Sequence, residues 1–451
     1  MSTEDKLAAL AVALAAADAT GLPSFGLSKP TSNLFRDRTA KPRPRIDLSG
    51  FDEVVRVDPT SHTVEAEGMA TYETIADATL AQGAIPAVVP QLKSITLGGA
   101  LAGVGIEATS FREGLVHDTV VAFDALIPGG ELVHCTADNE HADLFHGFAN
   151  SYGTLGYALR VTARTLPSRP YVEATRVRHT DAARAFDDLA RRCDDASVDF
   201  LDGVVFAPHA IVLTEGRFVD TVPWTSDYTY ERIYYRSIHE RDRDYLTARD
   251  WLWRWDTDWF WCSRNLGAQW PPLRRLLGRK RLNSITYQRI MRWNSRVGLT
   301  RALARIRGRT RESVIQDVDI PIEHAAEFLG FLHREVGILP IWLCPIRAPR
   351  GTPRATFYPL EPGRLSVNFG FWDVVETRSQ RTPGHVNRAI EREVARLGGL
   401  KSLYSDSYYP EDEFWTAFDH DAYRRLKRRY DPGDRLPDLY EKCVRGRRGR
   451  A

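Results

Sequence analysis

The chain has 451 residues, 43% of them hydrophobic and 27% charged, with a formal net charge of +2. This ordinary globular balance allows two or three packed units and excludes a strong attraction to nucleic acid through net charge. Cys135, Cys193, Cys262, Cys344 and Cys443 stand far apart with no CxxC pair and no histidine at zinc spacing, which argues against a disulfide framework or structural metal and for a reducing cytoplasm.

In chain order, the apolar run "LAALAVALAAA" at 7–17 falls short of the roughly 20 residues a spanning helix needs. Its leader "MSTEDK" carries acids where a secretory signal wants bases, so it reads as a packed helix. Short strands "DEVVRVD" and "HTVEAEG" precede the amphipathic helix "TYETIADATLAQG" and then a glycine-rich stretch at 93–119. "TVVAFDALIPGGELVHCT" reads as two strands around a Pro-Gly-Gly turn. The helix "NEHADLFHGF" then leads to a second glycine-marked turn and strand, "YGTLGYALRVTARTLP".

From 171 to 398 the character changes. "TDAARAFDDLARRC" is helical, while "FLDGVVF", "AIVLTEG", "SVIQDVDIP", "LPIWLCPIR" and "RLSVNFGFW" read as strands of one sheet. Most of the tryptophans and a dense arginine population sit in an insert at 224–310. The expected division is therefore 1–170, 171–398 and a C-terminal segment 399–451 whose tail "VRGRRGRA" is a frayed end.

Glycine is favoured where backbone must take positive φ or approach another backbone or a ligand closely. Gly98, Gly99, Gly103 and Gly105 fit neither the Rossmann spacing nor the Walker pattern, and on spacing alone a structural loop and a nucleotide cradle both remain open. The order of features is more telling: Thr96 to Gly105, then Ser110, Gly114 and Asp118, the "PGGELV" hairpin, "DLF" at 143–145 and "GTLG" at 153–156. This order resembles the FAD-binding domain of the vanillyl-alcohol oxidase (PCMH) type. The resemblance implies an α+β protein, a two-subdomain FAD-binding domain followed by an α+β cap domain with an antiparallel sheet. It also implies that FAD lies against Thr96, Leu97, Gly98, Gly99, Ala102, Gly103, Gly105, Ile106, Glu107 and Ser110, and against Gly153, Thr154, Leu155 and Gly156. Glu107 would orient the flavin or simply cap a turn. Relatives often carry a histidine bound covalently to flavin in an N-terminal loop; here "LSKPTSNLFR" at 27–36 has none, so FAD is expected to be non-covalent and held partly by Thr31, Ser32 and Asn33.

"LPIWLCPIRAP" at 339–349 and "LYSDSYYPEDEFWTAFDHDAYRRLKRRYDPGDRLPDLYEKC" at 403–443 extend the likeness. With "TLGGALAGVGIEATS" they make the chain similar over its length to the 24-dehydrocholesterol reductase family, without an N-terminal membrane helix. The resemblance implies reduction of a carbon–carbon double bond in a membrane lipid, with NADPH as a transient electron donor that has no Rossmann domain of its own. Two substrates are open: a 10-methylene fatty acyl chain going to 10-methyl, and a sterol side-chain alkene. The Arg-, Ala- and Asp-rich composition favours a bacterial acyl lipid, with a lipid methyltransferase as a possible partner. An FAD-linked oxidase of the same fold and a lipid-binding scaffold without turnover are the other readings.

An isolated alkene accepts hydride poorly unless a proton donor stabilises the developing charge. The candidates are Cys344 and Arg347 on "WLCPIR", and Tyr404, Asp406 and Tyr408 on "LYSDSYY", read as a strand. A buried Asp406 would have a raised pKa suited to donation. Against this, Cys344 between Leu343 and Pro345 is more often a small core residue than a donor, and the tyrosines also read as core. His117, His141 and His146 show no metal-ligand spacing, so no metal is expected.

"RDWLWRWDTDWFW" at 249–261 and the basic stretch to 309 have the composition of an interfacial segment. Leu273, Leu276 and Leu277 share one helical face, with Arg274, Arg275, Arg279 and Lys280 elsewhere. The expectation is peripheral contact with an anionic membrane through 249–309, at the inner face of a cytoplasmic membrane. A charged surface over a Trp-rich core is the plain alternative. Nucleic-acid binding has no supporting motif.

Overall fold

The computed structural model describes residues 3–19, 26–28, 35–36, 44–297, 310–377 and 382–445. Thr31, Ser32 and Asn33 lie outside the described residues.

Alternating apolar residues build the first sheet. In "YALRVTARTLP" nearly every second side chain is buried, and this long strand, Tyr157–Pro167, is the spine of the sheet. It pairs antiparallel with Thr63–Glu67 on one side and Val120–Leu126 on the other. Val54–Asp58 and Leu132–Thr136 form the two edges, and Ala84–Pro86 pairs with the far end of the spine. The Pro-Gly-Gly turn closes the hairpin through Ile127 N donating to Glu131 O at 3.0 Å.

The second sheet has eight strands, all paired antiparallel, in the spatial order Arg243–Thr247, Tyr171–His179, Ala210–Val219, Phe200–Ala207, Ile341–Ile346, Ser366–Thr377, Thr310–Pro321 and Leu400–Lys401. Its outer face is covered by helices Ala182–Cys193, Ala325–Phe331 and His385–Arg396, whose apolar sides make a separate core with Leu201, Phe369 and Phe371. The other face joins the first sheet in one continuous core. The fold is thus α+β, with two antiparallel sheets meeting across a shared apolar interior.

The N-terminal helix, Thr3–Ala19, packs Leu10 and Leu14 into a small core beside the first sheet. Lys6 Nζ reaches the buried Glu67 carboxylate at 2.8 Å. Among the described residues no helix is long and apolar enough to cross a membrane. At the other end, helix His420–Tyr430 returns to the first sheet, where Tyr430 OH donates to Asp143 Oδ1 at 2.7 Å.

Two expectations change. "LYSDSYY" is not a strand: beyond Leu400–Lys401 and a single bridge between Phe35 and Ser405 it is irregular backbone. The insert divides in two. Trp251, Trp253, Trp255, Trp259 and Trp261 are buried and interlock with Tyr234, Phe260 and Trp372, so 251–261 is core while Arg249 stays exposed. Arg274, expected on the polar face of its helix, is buried and grips Asp258 through Nη1 at 2.7 Å and Nη2 at 3.0 Å.

Candidate functional site

The glycine-rich stretch folds as a short helix, Leu97–Gly103, begun by Thr96. Its first turn is laced to neighbouring backbone: Leu97 N donates to Ala70 O, Gly98 N to Gly68 O, and Gly68 N to Leu159 O. A Cβ on Gly68 would lie 1.8 Å from Ala158 O, and one on Gly98 would lie 2.9 Å from Gly68 O and 3.0 Å from Ala158 O. Gly156, at φ +148°, would place a Cβ 2.8 Å from Leu126 O. Gly68, Gly98 and Gly156 are therefore required by backbone meeting backbone, one of the two close approaches that glycine serves. The surface left by this packing is the wall of a cavity of about 240 Å³.

A second wall is aromatic. Trp259, Phe260, Trp342, Trp372, Phe35 and Tyr404 line it. The rings interlock, with Phe260 and Trp372 centroids 4.4 Å apart and Phe35 and Trp259 5.3 Å apart. Trp259 and Phe260 have φ of 46° and 59°, a conformation disfavoured for bulky L-residues. Val104 (φ 65°) and Tyr152 (φ 50°), also at the cavity, share it. Strain of about 1–3 kcal/mol per residue persists only where the surroundings over-determine it, and here it collects at one cavity.

Among the described residues one carboxyl group lines this space. Asp317, on strand Thr310–Pro321, pairs across the sheet with Gly370, and a Cβ on Gly370 would come 2.8 Å from Asp317 Oδ1. The missing side chain gives the carboxyl its room. Burial pushes Asp317 up to about 7, against a hydrogen bond from Tyr404 that lowers it and with a contribution from Asp319 that raises it. Oδ1 has no partner, whereas Asp319 on the same strand is saturated by Tyr358 OH at 2.6 Å and Asn368 Nδ2 at 2.7 Å. Tyr404 OH accepts from Trp372 Nε1 at 2.9 Å, so the acid, the phenol and the indole form a chain along the aromatic wall.

The cavity gathers Thr96, Gly98, Gly99, Ala102, Gly103, Gly105 and Ile106, and from the second loop Gly153 and Gly156. The other expected cofactor contacts lie off it. Leu97 and Leu155 are core. Thr154 Oγ1 donates to Ser151 O, and Ser110 Oγ accepts from Glu107 N. Glu107 points away into a buried cluster where Arg254 Nη2 contacts it at 3.1 Å and Asp202 at 2.8 Å; burial, opposed by Arg254, pushes it up to about 7.

Of the expected proton donors, the cavity takes only Tyr404. Cys344 is fully buried and its thiol donates to Glu107 O at 3.1 Å, with burial raising its pKa well above the ordinary range. Arg347 pairs with Asp194 at 3.0 Å away from the cavity. Tyr408 packs where a Gly384 side chain would be, and its N–H is bound by Glu391. The Asp406 carbonyl accepts from Lys401 Nζ at 3.0 Å, and its side chain does not line the cavity because the irregular segment breaks the alternation that would aim it there. The acid that the sequence reading passed over is Asp317. Its signal was the pair Asp317 and Asp319 interleaved with Val318 and Ile320 in the second half of a strand. Among the described residues no cluster of three or more His, Cys, Asp or Glu could hold a metal.

Residues 5–136 match the FAD binding domain family. The Delta(24)-sterol reductase of Arabidopsis thaliana is 25% identical over 89% of this chain and 77% of its own length. The human Delta(24)-sterol reductase is 24% identical over 88% and 77%. Cytokinin dehydrogenase 7 of rice is 29% identical over 34% of this chain and 29% of its own. The residues at the cavity wall fit the flavin end of an FAD. There Gln91 keeps both amide atoms, and Thr96 its hydroxyl, buried without a partner, a set of donors and acceptors matching the polar edges of a flavin.

Proposed function

We propose that this chain, which is an FAD-linked oxidoreductase of the PCMH type related to Delta(24)-sterol reductases, reduces an isolated carbon–carbon double bond in a membrane lipid. The substrate we favour is a 10-methylene fatty acyl chain, taken to the 10-methyl form with NADPH as the transient electron donor. The observation that carries the reading is Asp317: a carboxyl held neutral to about pH 7 at the aromatic wall of the same cavity that the glycine helix lines.

The alkene takes up one proton and one hydride, so its two carbons become C–H centres and no atom leaves. FAD, when bound and reduced, supplies the hydride; NADPH restores it. Asp317 supplies the proton. Protonation of the terminal methylene carbon leaves positive charge on a tertiary carbon, and the electron-rich faces of Trp342 and Trp372 are the groups available to stabilise it. The apolar lining excludes water that would otherwise capture the cation. Tyr404 orients the carboxyl and ties it to the Trp372 ring. The polar Gln91 and Thr96 hold the cofactor, leaving the aromatic rings for the lipid.

A sterol side chain with a branched alkene answers to the same acid and hydride, and the names of the relatives support it as the second reading. Anaerobic titration separates the two. NADPH should bleach the flavin absorbance of the purified protein, and methylene phospholipid should restore it faster than a Δ24 sterol does. Restoration by neither lipid, with rapid reoxidation in air and stoichiometric peroxide, would make the protein an oxidase instead.

A further inference from the structure

Eleven large hydrophobic side chains are exposed among the described residues, and five of them, Trp270, Leu276, Ile290, Met291 and Trp293, fall within one stretch of two helices, Pro271–Leu277 and Ser284–Val297. Leu276 is 76% exposed, Trp270 65% and Trp293 58%. Exposed Arg275, Arg279, Lys280, Arg281 and Arg289 alternate with them. The sequence holds no acid at all between Asp258 and Glu312. Among the described residues Glu231 and Asp227, from a neighbouring loop, are the acids that pair with Arg275 and Arg279.

The helix pair is also fixed to the cavity. Arg274 grips Asp258, Ser284 Oγ donates to Asp256 Oδ1 at 2.6 Å, and Tyr287 OH donates to Thr257 O at 3.0 Å. These three tethers seize the residues immediately before Trp259 and Phe260, the strained part of the aromatic wall.

We infer that residues 270–293 are the surface by which the protein docks on an anionic bilayer, and that docking brings the aromatic wall of the cavity to the lipid. An interfacial helix needs large apolar side chains, tryptophan at the boundary and basic residues for the headgroups, and this stretch presents all three. Leucine, isoleucine and methionine beside the tryptophans favour acyl chains over nucleic acid, whose bases ask for stacking faces and a basic groove. The buried tryptophans at 251–261 take no part. The purpose of the docking rests on the lipid-reductase reading, but the surface itself does not.

The test uses the full-length, flavin-loaded protein in flotation with vesicles of phosphatidylcholine alone and with 30% phosphatidylglycerol. The protein should float with the anionic vesicles, and high salt should release it. The variant Trp270→Ser/Leu276→Ser/Trp293→Ser should bind at least about ten-fold more weakly, and so should Lys280→Glu/Arg281→Glu, which leaves every apolar contact in place. Flavin absorbance and melting temperature report whether each variant is folded. Absence of flotation, flotation undiminished in both variants, self-association that the triple variant abolishes, or tighter binding to single-stranded DNA than to vesicles would overturn the proposal. Reoxidation of the reduced variants by detergent-dispersed methylene phospholipid should match the unmodified protein; failure of the unmodified protein in that assay counts against the reductase reading and leaves the docking surface standing.

Discussion

The glycine wall and the aromatic wall of the cavity are made by different means. On the first, carbonyl oxygens of Gly68, Leu126 and Ala158 close on Cα atoms that carry no side chain, and the shape of the site is a property of the backbone. On the second, the shape comes from six aromatic rings and one acid, held by strained backbone at Trp259 and Phe260 and by hydrogen bonds among the side chains. The difference predicts how each wall fails. A change in the glycine wall has nowhere to relax and destroys the fold with the site. A change in the aromatic wall leaves the fold standing and alters the chemistry.

The sharpest way to break this contrast is Gly68→Ala. Its new methyl would stand 1.8 Å from Ala158 O, so strand or helix must separate, at a cost of about 3 kcal/mol or more. The purified variant should lack flavin absorbance and melt well below the unmodified protein; a yellow protein of ordinary stability would show that the glycine wall is soft.

Asp317→Asn is the counterpart on the other wall. It should keep its flavin spectrum and melting temperature while the rate of lipid-driven reoxidation in stopped flow falls by about 10²–10⁴-fold. Loss of the flavin instead would make Asp317 structural.

The pH profile follows from the same carboxyl. Its pKa is raised to about 7, so the acid form is complete below that value and disappears above it. The reoxidation rate constant should be flat in mild acid and fall about tenfold per pH unit above about 7, and in Asp317→Asn the remaining rate should lose this inflection.

Tyr404→Phe should have the smallest effect. The phenol lowers the Asp317 pKa, so its removal should move the inflection upward, with roughly a tenfold loss in rate from the less firmly held acid. An unmoved inflection would separate the two residues.

Much of the glycine wall was legible. Gly98, Gly105, Gly153 and Gly156 are recognisable because a position that admits no Cβ must be glycine, whichever partner excludes it. What the pattern left open was which atoms exclude the side chain: carbonyl oxygens at Gly98 and Gly156, and the side chains of Val116 and Tyr157 at Gly105 and Gly153. Glu107, Thr154 and Leu155 sit among those glycines in sequence but turn away from the cavity, since neighbours along a chain share a loop without sharing a direction. The aromatic wall was read less well. Asp406 and Asp317 are both acids among apolar residues; only the pairing with Gly370 distinguishes the one that reaches the cavity.

The insert shows the same limit. Its tryptophans form one compositional block, yet those at 251–261 are core and Trp270 and Trp293 are exposed. Composition counts residues without saying which side of a helix or turn meets solvent.

By itself the sequence determined the α+β character, the positions of most strands and the glycine framework of an FAD site, because these follow from side-chain periodicity and from where a side chain is forbidden. Tertiary structure alone decided which acid faces the cavity, which aromatic rings line it and which half of the insert lies open. Those choices depend on strand register and on contacts between segments far apart in the chain, and burial, which sets both the acidity of Asp317 and the exposure of each tryptophan, exists only once those segments have met.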